Sequence, residues 1–205
     1  MLALEQYFTS KPKSSHQIQT IEFKYKGQNF QFKTDSGVFS KNKFDYGSQV
    51  LLDSILSTWL PGTNDQVLEL GSGYGPLLII LAKQFPLIQF TGLEINSRAF
   101  DLAKENSLLN HCSNICWRLS DVSQAELAQA YDLVLTNPPI RAGKAVIQSF
   151  VRAAFSSLNK DGKLYLVIQK KQGAPSMKTY MEQVFGNVER LQQDKGYWIL
   201  MSYKS

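Results

Sequence analysis

Asn137-Pro138-Pro139-Ile140 closes an apolar run, Leu133 to Thr136, and two cations, Arg141 and Lys144, stand just beyond it. Proline cannot donate to a strand's ladder, so a strand through Thr136 must stop at Asn137. An exocyclic amino group on a base is a poor nucleophile because its lone pair is delocalised into the ring. Two acceptors that hold both amino hydrogens leave that lone pair directed at an electrophile. Asn137 offers a side-chain carbonyl, and Pro138 a main-chain carbonyl without a competing N–H. The paired prolines stiffen the loop and pre-place both oxygens. Positioning of this kind is worth up to about 7–11 kcal/mol of barrier, and the chemistry requires neither a metal nor a strong general base.

A second group of residues reads as a ligand cradle. Gly71, Gly73 and Gly75 follow the apolar run 66–70, with Ser72 and Tyr74 between them. Glycines at such a turn let the chain bend tightly and let a ligand approach the main chain. A dinucleotide fingerprint would place its third glycine at position 76, where this chain has Pro76, so the spacing argues against a bound pyrophosphate. Glu94, 23 positions after Gly71, ends the next apolar run, where a carboxylate can accept from both hydroxyls of a ribose. Ser120-Asp121 ends the third run, and Asp121 suits an adenine amino group. A nucleoside without phosphates fits this set, and S-adenosyl-L-methionine is the nucleoside it describes. Its sulfonium tolerates Glu69, whereas phosphates would be repelled.

These groups meet only if the chain folds as a parallel sheet. Apolar runs at 66–70, 88–94, 114–120, 131–136 and 163–169 alternate with helical spacings at 76–85, 97–110, 144–158 and 177–185, and a short helical piece is expected at 123–130. The pattern predicts a doubly wound α/β fold with a mostly parallel, seven-stranded sheet. Asp194-Lys195-Gly196 signals a closing antiparallel hairpin. Such sheets bind ligands beyond the carboxyl ends of their strands, which is where the residues above fall. Upstream, alternation at 18–34 predicts a small β-hairpin, 37–48 a loop, and 49–60 a helix. We expect two parts: a hairpin-and-loop extension over 1–48 and a catalytic domain over 49–205.

The motifs "VLELGSGYGPL", "TGLEINSRAF", "SD" and "TNPPIRAGK", in this order, resemble those of class I S-adenosylmethionine-dependent methyltransferases. More narrowly they resemble the small methyltransferase group that includes the bacterial 16S ribosomal RNA guanine-N2 methyltransferase C, as does "FKTDSGVFSKNKFDYGSQVLL" upstream. The resemblance implies a Rossmann-like sheet and cofactor contacts from Glu69, Gly71, Ser72, Gly73, Tyr74 and Gly75. It extends these to Glu94, Ile95 and Asn96, to Ser120 and Asp121, and to Asn137. It implies N-methylation, with guanine N2 of ribosomal RNA as the leading acceptor. Adenine N6, a protein glutamine amide, or a non-enzymatic RNA-binding assembly role are the alternatives.

The chain departs from the pattern twice. Class I enzymes commonly carry Asp where Glu69 stands, and related N-methyltransferases often carry Tyr or Phe where Ile140 stands. An aromatic ring is therefore expected from the upstream loop: Phe39, Phe44 or Tyr46. With Asp45, Arg141 and Lys144, Phe39 and Phe44 make up the candidate substrate contacts, though the two cations fit a solvated loop equally well. Larger two-domain relatives carry an additional N-terminal domain, which about 60 residues before the first core strand would not accommodate.

Composition bounds the class. With 43% hydrophobic and 19% charged residues the chain is globular. No apolar run approaches the ~20 residues of a membrane span, and no secretory leader is visible, so a cytoplasmic protein without a membrane is expected. Two cysteines, Cys112 and Cys116, are too few for a disulfide framework or a four-ligand zinc site. Residues 1–50 hold seven lysines against four carboxylates, 51–159 seven cations against nine, and 160–205 eight against four. Basic flanks around an acidic centre suit a polyanion such as nucleic acid, as they also suit an ordinary mixed surface, and the resemblance implies that the nucleic acid is ribosomal RNA or a ribosomal subunit. Lys11, Lys13, Lys24, Lys26, Lys41, Lys43, Lys170 and Lys171 are the candidate phosphate contacts. Oligomeric state is not legible.

Overall fold

The computed structural model describes residues 10, 14–127 and 130–205. A two-stranded antiparallel hairpin, β1 (Gln19–Tyr25) and β2 (Gln28–Thr34), precedes α1 (Tyr46–Thr58). The core then alternates: β3 (Gln66–Leu70), α2 (Pro76–Gln84), β4 (Gln89–Glu94), α3 (Ser97–Leu109), β5 (Ile115–Leu119), β6 (Tyr131–Thr136), α4 (Lys144–Ser157), β7 (Leu158–Gln169), α5 (Ala174–Phe185), β8 (Glu189–Asp194) and β9 (Tyr197–Tyr203). The seven-stranded sheet has the order β5-β4-β3-β6-β7-β9-β8. Strands β3 to β7 pair in parallel, and β9 runs antiparallel between β7 and β8. The expected doubly wound sheet is therefore present, with the antiparallel strand inserted one place in from the edge.

The central strands β3, β6 and β7 are buried on both faces because helices cover both sides, and their sequences are correspondingly rich in apolar residues. One core packs α1, α2 and the hairpin against Val67, Leu133, Leu135, Tyr165 and Val167. The other packs α4 and α5 against Leu68, Leu70, Val134, Leu164 and Leu166. Alternate residues of each strand serve opposite cores, as a two-residue side-chain period requires.

The structure differs from the sequence reading in several places. Helix α1 begins at Tyr46, because Asp45 caps it by accepting from the Ser48 N–H at 2.8 Å. Strand β7 begins at Leu158 and carries an irregularity opposite Tyr131–Leu133. The helical piece expected at 123–130 is absent among the described residues there, where 122–124 form a turn held by Asp121. Ser123 N–H and Oγ both donate to Asp121 Oδ1, and a local bond of a side chain to the backbone such as the first competes with helix.

Hairpin and loop are bound to the core by polar contacts as well as by rings. Phe23 stacks on Phe30, Phe32 and Phe44. Asn106 of α3 and Asn110, which caps its C-terminus, bond the β2 backbone, and Tyr25 donates to Asp53 of α1 at 2.5 Å. Asp35, 1% exposed, accepts from the Gln17 N–H and from His16 and lies 3.6 Å from Arg98 Nε. Arg98 in turn donates to Ser14 O and Ser36 O. This cluster pins residues 14–17 and the loop after β2 to the start of α3.

Candidate active site

The order reverses between β3 and β6, and a cleft of about 620 Å³ opens beyond the strand ends there. Thr136 Oγ1 donates to Leu70 O at 2.8 Å, which ties the two strand ends side by side. Since Glu69 is in register with Leu135, Asn137 emerges next to the glycine turn.

The glycine-loop wall is built from main chain. Gly71 N–H and Ser72 N–H both donate to Leu93 O at 2.9 Å, folding the turn over the end of β4. Gly71, Gly73 and Gly75 have φ of 74°, 57° and 91°, the left-handed region that other residues enter at a cost. At Gly75 there is also no room, because a Cβ would lie 2.8 Å from the Trp117 ring. Glu94 clamps the turn from below, with Oε2 accepting from Gly73 N–H at 2.7 Å and Oε1 from Asn96 N–H at 2.8 Å. Burial raises the Glu94 pKa, against the lowering effect of those N–H groups. Glu69 is 2% exposed, and its Oε2 has no partner. Burial first, and the Glu94 carboxylate second, push its pKa well above the ordinary 4.5.

The Asn137 wall is built from side chains of distant segments. Asn137 Nδ2 donates to Asp45 Oδ2 at 3.0 Å and to Ser48 Oγ at 2.9 Å. Pro138, Pro139, Ile140 and Arg141 line the mouth, with Val38, Phe39 and Ser40 from the loop, Gln169 at the end of β7 and Gln172 just after it, and Tyr197 of β9. The Tyr197 ring reaches this position because residue 47 is glycine: a Cβ there would sit 2.6 Å from Tyr197 Cε1. Tyr46 packs against the same ring with centroids 5.9 Å apart, and its hydroxyl donates to Asp194.

Most residues expected at the site line this cleft: Glu69, Gly71, Ser72, Gly73, Tyr74, Glu94, Ile95, Asp121, Asn137, Pro138, Pro139, Ile140, Phe39, Asp45 and Arg141. Others do not. Gly75 caps α2. Asn96 is fully buried, capping α3 and donating to Gly37 O. Ser120 is held by its N–H on Glu94 O. Phe44 is spent in the hairpin stack, and Lys144 is exposed at the start of α4. Sequence reasoning missed Ser48 and Tyr197. Ser48 stands three residues after a capping Asp, a spacing that does carry a signal. Tyr197 carries none, since nothing local says that a hairpin strand returns to the cleft.

A donor set of this kind fits S-adenosylmethionine. The partnerless Glu69 oxygen suits a cationic group. The glycine turn, open above Gly73, admits close approach to backbone. Fold and site together are those of a class I methyltransferase.

The chain belongs to the methyltransferase small domain family, whose model matches residues 29–201, and the methyl donor of this family is S-adenosyl-L-methionine. It is 39% identical to the uncharacterized protein YbxB of Bacillus subtilis over 98% of both chains. It is 34% identical to the ribosomal RNA small subunit methyltransferase C of Hamiltonella defensa over 83% of this chain and 49% of that one. The solved Thermus thermophilus 16S rRNA N2 G1207 methyltransferase, in complex with AdoMet and guanosine, superposes with a TM-score of 0.80 at 28% identity. The match covers 95% of this chain and 52% of that one. The chain thus spans about half the length of these methyltransferase C relatives. Among the described residues, no helix is long and apolar enough to cross a membrane.

Proposed function

We propose that the protein methylates an exocyclic amino group of RNA, with guanine N2 of ribosomal RNA as the acceptor. The observation that carries this reading is the convergence of Asn137 and Pro138 on the cleft that holds Glu69 and Glu94. When bound, S-adenosylmethionine supplies a methyl on a sulfonium, which departs as a neutral thioether. Glu94 and Asp121 would take the ribose hydroxyls and the adenine amino group, and Glu69 the methionine ammonium. Asn137 Oδ1 and Pro138 O would each accept one amino hydrogen of the base, turning its lone pair toward the methyl. Ile140 gives an apolar floor, and Phe39 and Tyr197, two of the rings that line the cleft, would serve in place of an aromatic at 140. In this reading residues 38–48, the end of the expected extension, complete the acceptor side of a catalytic domain at 49–205. Exposed Arg141, Lys144, Lys170 and Lys171 lie at the same end of the sheet, where they suit RNA phosphates. Support comes also from the Thermus relative, whose own acceptor is a guanine N2.

The test is to incubate the protein with radiolabelled cofactor and separate RNA, DNA and protein fractions, then digest labelled RNA to nucleosides. Label in N2-methylguanosine is expected. Label in N6-methyladenosine or in protein glutamine would replace the acceptor, and no transfer with intact cofactor binding would favour an assembly role.

A further inference from the structure

We infer that Asp45, the N-cap of α1, and Ser48, on its first turn, are positioning residues: they consume both amide hydrogens of Asn137 and thereby fix its carbonyl oxygen as the free end of the side chain. This rests on the proposed role of Asn137 and names what sets it.

An asparagine amide has a donor end and an acceptor end of nearly the same shape, and only its surroundings decide which faces a ligand. A carboxylate accepts only. With Asp45 Oδ2 at 3.0 Å, the nitrogen must be the atom turned toward α1, because an amide oxygen there would meet a carboxylate oxygen with no hydrogen between them. Ser48 Oγ, at 2.9 Å, takes the second hydrogen. Oδ1 remains for the cleft, which Asn137, Asp45 and Ser48 all line. The device selects for a substrate that donates: an amino group finds an acceptor, whereas a carbonyl at the same place would face another oxygen.

Asp45 is itself held. Its Oδ2 also accepts from Ser48 N–H at 2.8 Å, so the cap that starts α1 and the bond that orients Asn137 share one atom. The pieces lie 92 and 89 residues apart in sequence, and α1 brings them together. Tyr74, whose hydroxyl is buried without a partner, lines the same region, and the Asp45 charge adds to burial in raising its pKa.

A purely structural cap would behave differently, and the test separates the two. Serine is a good N-cap, so Asp45→Ser keeps the helix start while withdrawing the carboxylate from Asn137. We expect kcat to fall about 30-fold while KM for the cofactor stays within about three-fold and Tm is nearly unchanged. Asp45→Asn, which retains an acceptor oxygen, should recover most of that loss. The double variant Asp45→Ser/Asn137→Ala should be no slower than Asn137→Ala alone, since both changes remove one function. Multiplying losses, or a kcat within two-fold of wild type in Asp45→Ser, would overturn the inference. A second readout needs no acceptor. In ¹⁵N spectra the Asn137 side-chain amide, assigned by its loss in Asn137→Ala, should exchange slowly with solvent in the wild type and quickly in Asp45→Ser. Equal exchange in the two overturns the positioning role. Should wild type transfer no methyl to RNA while the amide is protected, the acceptor reading fails and the positioning role stands.

Discussion

Glu94 reaches Gly73 across 21 residues and Asn96 across two, whereas Asn137 reaches Asp45 across 92 and Tyr46 reaches Asp194 across 148. The glycine-loop wall is made where consecutive strands turn into helices, largely from backbone N–H groups and two buried carboxylates. The Asn137 wall is assembled from a loop, a helix cap, a strand end and a hairpin that neighbour one another only in the folded chain. The first wall suits a ligand that is always the same. The second can change its ligand by changing any one of several side chains without disturbing the sheet. Removing groups from one wall should therefore alter cofactor affinity, and from the other, turnover and choice of acceptor.

The sharpest division is expected at Asn137. Asn137→Ala removes an acceptor used at the moment of transfer, and kcat should fall at least ~100-fold with cofactor Kd within about three-fold. Single-turnover kinetics and calorimetry measure the two quantities. A variant that loses affinity and keeps its turnover would erase the distinction between the walls.

Glu94 should show the converse. Glu94→Gln keeps the size but puts an NH2 where Glu94 accepts from Gly73 or Asn96, so one backbone donor goes unpaired as the hydroxyl acceptor is lost. Cofactor Kd should rise about 10- to 100-fold with kcat at saturation within about three-fold. A drop in saturated kcat with unchanged Kd would place Glu94 in the chemistry instead.

The same contrast explains what the sequence disclosed. Gly71 to Gly75, Glu94 and Asp121 are legible because each sits at a strand end, and a strand end in an alternating α/β pattern has a known place in space. Asn137 is legible for the same reason. Phe44 could not be separated from Phe39 by spacing. Both stand in one loop, and only the hairpin stack, with Phe23 and Phe44 centroids 4.9 Å apart, takes Phe44 away from the cleft. Lys144 opens the helix expected over 144–158, but spacing alone does not say which way its side chain turns, and in the fold it faces solvent. Tyr197 was out of reach because its placement depends on Gly47, a residue 150 positions earlier that leaves space for its ring.

Tyr197 offers a smaller test on the Asn137 wall. If its ring serves the acceptor, Tyr197→Ala should raise acceptor KM about 10-fold, in keeping with roughly 1–3 kcal/mol per stacked base. Tyr197→Phe should restore it, and cofactor Kd should stay put. A rise in cofactor Kd, or no recovery with Phe, would remove Tyr197 from the acceptor side.

The smallest effect concerns the protein without ligand, and it isolates the cost built into the glycine-loop wall. Burial and the Glu94 charge raise the Glu69 pKa, so its neutral form is favoured in the fold relative to the unfolded chain. A carboxyl with a raised folded pKa contributes stability that is fully present below the unfolded value near 4.5 and is lost as pH rises through the folded value. Glu69→Gln resembles the neutral acid at every pH and lacks that loss. Its Tm should match wild type near pH 4 and exceed it by pH 8. A tenfold change in an ionisation equilibrium is worth about 1.4 kcal/mol, which for a domain of this size moves Tm by a few degrees. Cofactor should close the gap at pH 8, because a cation against Glu69 Oε2 favours the ionised form in wild type, and the Gln variant has no charge to offer. A Tm difference independent of pH, or one that cofactor fails to narrow, would mean that Glu69 does not ionise against the ligand, and that the two walls differ in construction without differing in charge.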